Sequence, residues 1–127
     1  MPKAKTIKQM KKAVIERFMK QYRGRPCELC GSTYGTAAHH YVGKGYCPRH
    51  IVTPENIIVL CPNHHGPYGK KPNPHSGNPE LAGLFQIWIE RNRPDIIEWA
   101  NEHRNDTSLK CGKIDWRTLY EEGAFTI

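Results

Sequence analysis

Five Cys and seven His punctuate a chain of 127 residues, and ten of these twelve fall between positions 27 and 75. Cys27 and Cys30 form a Cys-x-x-Cys pair, with Gly31 directly after it. Cys61-Pro62-Asn63-His64 repeats the spacing as Cys-x-x-His. A two-residue gap lets a tight turn bring both side chains to one ion, and two such pairs supply four ligands suited to tetrahedral zinc. Cys27, Cys30, Cys61 and His64 are therefore the expected structural zinc site. Cys47-Pro48-Arg49-His50 is a competing pair at the same spacing, and Cys111 has no partner at ligand spacing.

A second group of residues is suited to acid–base chemistry: His39-His40, Asn56 and His65. A neutral imidazole near its ordinary pKa can take a proton from water at about pH 7, and it is also a common ligand for divalent ions. Adjacent residues on a strand point to opposite faces. His39 and His40 are thus expected to do different jobs, one facing metal and one facing water. Asn56 can fix the backbone or ring near His40. His50 and His103 are expected to be structural or surface residues.

Taken together, Cys27 and Cys30, Ala38-His39-His40, and Asn56-Ile57-Ile58-Val59-Leu60-Cys61-Pro62-Asn63-His64-His65 resemble the HNH endonucleases of the ββα-metal class. The likeness is strong over residues 27–65. It extends loosely to about residue 90 through a His-Ser-Gly-Asn-Pro stretch similar to that of phage-type members. The resemblance implies a catalytic divalent ion held by His39 and His65, with His40 as general base and Asn56 orienting it. It implies Mg²⁺ or Mn²⁺ as the ion, DNA as the substrate, and 5′-phosphate and 3′-hydroxyl products. Two departures stand out. Many relatives have Cys where this chain has His64, although three Cys and one His serve a structural site equally well. A second metal-binding His often follows the first by four residues, and here that position is Gly69. His75 is the candidate replacement, the alternative being water and phosphate oxygens.

The elements that must position these groups are legible in part. Ile7, Met10, Val14, Ile15, Phe18, Met19 and Tyr22 recur mostly at steps of three and four, which predicts an amphipathic helix over residues 6–22. Thr6 and Gln9 have capping-box spacing. Residues 37–42 and 57–60 are the strand candidates, separated by a Gly/Pro-rich loop. Asn78-Pro79 and Pro94 open two further helices, and Trp116, Leu119 and Tyr120 suggest one more. The expected fold class is α+β: a zinc-stapled ββα core (26–75) with a basic helical arm (1–25) and a helical extension (76–127), as one domain.

A staple is needed because only 38% of residues are hydrophobic and 21 of 127 are Gly or Pro. The net charge is +7, yet residues 1–25 alone carry nine Lys/Arg against one Glu. A basic excess gathered in one segment is the footprint of a polyanionic partner. Lys8, Lys11, Lys12, Lys20 and Arg23 are the expected phosphate contacts to DNA, with weak sequence preference and two alternatives for substrate form: any duplex, or a DNA shape such as a nick, fork or junction. No run of about 18 apolar residues suggests a membrane span. No apolar stretch follows the charged start, so a cytoplasmic location is expected, the host's cytoplasm if a phage encodes the chain. Reducing conditions there make the five Cys metal ligands or free thiols. A monomer or weak dimer is expected. Two rival readings share the staple and basic arm: a non-catalytic zinc-bound nucleic-acid module, and a zinc module for a protein partner.

Overall fold

The computed structural model describes residues 4–42, 47–65, 71–103 and 114–123. Helix α1 runs Ile7–Lys20, capped as its sequence demands: the Thr6 hydroxyl accepts from the Gln9 amide at 3.2 Å, and the Gln9 side chain accepts from the Thr6 amide at 2.8 Å. Strand β1 (Ala37–His40) pairs antiparallel with β2 (Ile57–Leu60), His39 opposite Ile58 and His40 opposite Ile57. Two 3₁₀ turns, Pro48–Val52 and Pro54–Asn56, lead into β2. The short helix α2 (Pro62–His65) follows, then α3 (Pro79–Asn92), α4 (Pro94–His103) and α5 (Trp116–Glu121). No helix among the described residues is long and apolar enough to cross a membrane.

The two-residue period of the strands organises the core into two halves. Ala38, Ile57 and Val59 face Val14, Phe18 and Tyr22 of the N-terminal segment and Trp116 of α5. Ile58 and Leu60 face the other way, against Cys27, Cys61, Phe85, Ile89 and Ile96. The hairpin is thus the middle layer, with α1 and α5 on one side and α3 and α4 on the other. All four residues of β2 are buried, which explains its unbroken Ile-Ile-Val-Leu run. Each fully buried side chain of this kind contributes roughly 1.5–3 kcal/mol.

Polar links tie the layers at their corners. Glu28 accepts from the Val59 amide at 2.7 Å and pairs with Arg93, which also contacts Asp95 from the start of α4. One carboxylate therefore joins the Cys-x-x-Cys turn, β2 and the α3–α4 junction. Arg17 lies over the Tyr120 ring, 4.8 Å from its centroid, and donates to the Tyr120 carbonyl at 3.1 Å. Lys11 sits 5.6 Å from the Trp116 ring centroid. Some of the basic charge on α1 is therefore used to hold α5.

The structure departs from the sequence reading in three places. Helix α1 stops at Lys20, and Tyr22 packs from the turn beyond it. Strand β1 ends at His40 instead of residue 42, because the Asn56 side chain takes both the amide and the carbonyl of Val42. The expectation that every Cys is a ligand or free thiol is also corrected: Cys47 is disulfide-bonded. A sulfur committed to a disulfide is no thiolate ligand, which removes the competing Cys47–His50 pair in this state. Cys111 and Gly69 lie outside the described residues.

Candidate metal centres

The first centre is built on a backbone turn. The Gly31 amide donates to the Cys27 carbonyl at 2.8 Å, and the Cys27 amide to the Ser32 carbonyl at 2.8 Å. Gly31 takes a φ of +79°, a conformation that L side chains rarely adopt, which explains a Gly directly after the second Cys. The turn brings Cys27 and Cys30 to Cys61 at the end of β2, and the three sulfurs lie within 4.8 Å of one another. Burial pushes the Cys27 thiol up, but backbone hydrogen bonds at Cys61, Cys30 and Leu29 together outweigh it and leave its pKa lowered. Such bonds favour the thiolate, the form that binds metal.

His64 is not a member of that three-sulfur group, though it lines the same cavity as Cys30 and Cys61. Its Nδ1 lies 2.7 Å from the Pro72 carbonyl oxygen, which can only accept, so Nδ1 carries the proton and Nε2 the lone pair.

The second centre gathers His39, His65 and His75, whose ring nitrogens also lie within 4.8 Å of one another. Three separate elements supply them: β1, the end of α2, and the loop before α3. Their ring centroids stand 4.9–5.1 Å apart. His39 is buried against Phe85 of α3, His65 is half-buried, and His75 is exposed, so the group opens to solvent on the His75 side. Burial, and secondarily the charges of His65, His75 and His40, pushes the His39 pKa down to about 3. Burial and the same kind of repulsion lower His65. All this favours neutral imidazoles, the state required of metal ligands.

His40, the next residue on β1, points to the opposite face. Its Nε2 lies 2.8 Å from the carbonyl oxygen of Ile51, in the first 3₁₀ turn. The carbonyl accepts, so Nε2–H donates and Nδ1 becomes the basic nitrogen. The sequence reading missed Ile51 because only its main chain takes part.

Asn56 is completely buried and does not touch the His40 ring through any of its three side-chain hydrogen bonds. Its Oδ1 accepts from the Val42 amide at 2.7 Å, and its Nδ2 donates to the carbonyls of Val42 and His50 at 3.0 and 3.1 Å. It therefore pins the chain on both sides of His40: the residues just after β1, and the turn that offers the Ile51 carbonyl. Asn56 is a positioning residue. Asn56→Asp replaces a donor facing two carbonyls with an acceptor, and is expected to cost about 2–4 kcal/mol in urea unfolding, more than an exposed Asn→Asp change.

Asn73, also completely buried, was not singled out from the sequence; its Oδ1 accepts from the His75 amide at 2.8 Å and so sets the loop that carries His75. The Asn73-Pro74 step is itself a turn signal. His50 is buried with its ring 5.0 Å from that of Trp99, and His103 lies against the same indole, as structural residues would.

The chain matches no family model, no curated protein and no solved structure.

Among the expected phosphate contacts, Lys20 and Arg23 join Arg17, Ala13 and one carboxylate, Glu16, in lining an open cleft of about 550 Å³ on α1 and the turn after it. Lys8 and Lys12 are exposed, whereas Lys11 is half-buried beside Trp116.

The depressed histidines predict a pH dependence for the metal-free protein. An unfolded chain protonates His39 near pH 6.5, while the folded chain resists until about pH 3. Below 6.5 the unfolded state binds more protons, so stability falls as pH falls between those values. The loss is on the order of a few kcal/mol. Urea midpoints that drop between pH 7 and 4, and flatten in a His39→Gln variant, are the expected result.

Proposed function

We propose that this protein is a metal-dependent nuclease of the HNH type, acting on phosphodiester bonds of DNA. One observation carries the reading: His39, His65 and His75 converge into a solvent-open group of nitrogens that could ligate a metal, with His40 next to His39 in β1. The resemblance over residues 27–65 supports the same roles.

His40 is the general base. Its Nε2–H donates to the Ile51 carbonyl, so Nδ1 is the ring nitrogen that would remove the proton of an attacking water. Asn56 keeps that carbonyl and the end of β1 in register. His39, His65 and His75 would hold the divalent ion. When bound, such an ion neutralises charge on the scissile phosphate and stabilises the leaving oxygen. The cleft formed by Arg17, Lys20 and Arg23 serves as a phosphate contact that positions the duplex without reading its sequence.

Cys27, Cys30 and Cys61 would hold a structural zinc, with His64 Nε2 as the fourth ligand. A ligating His usually donates its other ring N–H to a carbonyl, which is what Nδ1 does toward Pro72.

The donor set bears on the catalytic ion. Three imidazoles without a carboxylate suit borderline transition ions better than Mg²⁺, which prefers oxygen ligands. Mn²⁺, Ni²⁺ or Zn²⁺ should therefore support nicking of supercoiled plasmid at lower concentrations than Mg²⁺. Metal-dependent nicking that EDTA abolishes supports the nuclease reading. Binding of plasmid without cleavage under every ion would favour the non-catalytic zinc module instead.

A further inference from the structure

We propose that Tyr34 is a stacking platform for an unpaired base of the nucleic acid, which makes the preferred substrate one with single-stranded or splayed bases next to the cut. This rests on the nuclease reading above and adds a substrate class to it.

Tyr34 is 83% exposed, whereas the other exposed large hydrophobics among the described residues, Ile7, Leu84 and Ile87, are only 45–47% exposed. An aromatic ring so bare is useful for stacking only if it is held still, and the loop around Tyr34 is well restrained. Its amide donates to the Ser32 hydroxyl at 3.3 Å. Gly35 has a φ of +62°, and a Cβ there would meet Pro62 Cγ at 2.9 Å, so the loop lies directly on the first residue of α2. The other end of the loop is the Cys27–Cys30 turn. Tyr has only two side-chain torsions to fix, which keeps the entropic cost of binding low.

The ring borders a cavity of about 250 Å³ whose inner end is lined by the proposed zinc ligands Cys30, Cys61 and His64 and whose outer part is lined by Ser32, Pro62, Asn63 and Lys71. Its described lining has one cationic side chain, Lys71, and no carboxylate. The cleft on α1 sets Arg17, Lys20 and Arg23 beside Glu16; the outer part of this cavity offers an aromatic face, an amide and a hydroxyl, which fit a neutral heterocycle with a polar edge. Lys71 is suited to the adjoining phosphate.

Position links the cavity to the chemistry. Pro62, Asn63 and His64 line it, and the next residue, His65, belongs to the three-histidine group. Helix α2 has four residues, so at about 1.5 Å per residue its two ends are only about 6 Å apart. A base on Tyr34 would therefore adjoin the backbone being cut.

The test measures binding by zinc-loaded full-length protein to a fluorescent single-stranded oligonucleotide, a blunt duplex and a forked duplex. Tyr34→Ala should weaken single-strand and fork binding roughly five- to hundredfold, the range for losing one base–aromatic stack, with blunt-duplex binding little changed. Tyr34→Phe should bind like wild type and Tyr34→Leu like the alanine variant. The salt dependence should keep its slope, because no phosphate contact is lost. Equal binding of the fork by wild type and Tyr34→Ala overturns the inference and leaves the nuclease reading intact. If wild type binds none of the three, both fail. Unchanged zinc content and thermal midpoint in the variants exclude misfolding, since the side chain is exposed.

Discussion

Exchange of His40 for alanine is expected to lower metal-dependent plasmid nicking about 10²- to 10⁴-fold, the contribution of a well-placed general base. The same variant should keep the metal ions proposed for the two centres. His40 lies on the face of β1 opposite His39, and its Nε2 is engaged by the Ile51 carbonyl, so none of the three-histidine group depends on it. Metal content measured by mass spectrometry, alongside nicking rates at saturating metal, separates the two effects. His65→Ala should behave differently. It deletes a proposed ligand, so the metal concentration needed for activity rises, and excess metal partly restores the rate. A His40→Ala protein that nicks at the wild-type rate would place the base elsewhere.

The largest stability effect is expected at the three-sulfur group. Cys61 ends β2, and its backbone and side chain both sit in the half of the core that contains Ile58, Leu60, Phe85 and Ile89. Cys27 belongs to the same cluster. Loss of a bound ion would therefore loosen β2, α2 and the Cys27–Cys30 turn together. Apparent binding energies for structural zinc are about 10–16 kcal/mol, as large as the whole stability of an ordinary small domain. Cys61→Ser, or removal of the ion with a strong chelator, is thus expected to abolish the cooperative thermal transition. Readdition of Zn²⁺ should restore it for the chelated wild type and fail for the variant. A Cys61→Ser protein that melts within a few degrees of wild type would show that the group adds little to folding.

These two outcomes bear on different parts of the molecule. The sulfur group holds the hairpin to α2 and to the α3–α4 layer. The histidine group uses that frame: His39 lies on the hairpin, His65 follows the last residue of the Cys-x-x-His pair by one, and His75 is held by buried Asn73. A change that disturbs the first group should therefore disable the second, while changes in the second should leave the fold nearly intact.

Local chemistry was legible in the sequence wherever a short segment carries its own instructions. The Thr6–Gln9 capping box, Asn78 before Pro79, and Pro94 at the head of α4 all mark helix starts as expected, because caps are satisfied by neighbours three residues away or fewer. The Cys-x-x-Cys turn is of the same kind, closed by its own backbone bonds and by Gly31. The opposite orientations of His39 and His40 follow from the pleat of a strand. What tertiary structure decided are the relations across long stretches of chain. His75 joins His39 and His65 only because the loop before α3 folds back over α2 and Asn73 anchors it, and no spacing rule encodes that return. Asn56 acts on the backbone of Val42 and His50 instead of on an imidazole, because a fully buried amide must satisfy its hydrogen bonds with whatever main chain surrounds it. The disulfide at Cys47, the Ile51 carbonyl that sets the His40 tautomer, and the bare ring of Tyr34 depend likewise on which segments meet and which are left uncovered. Residue types and short spacings state what each group is able to do; packing of distant segments determines which groups face one another, because burial and hydrogen-bond satisfaction are properties of the assembled chain.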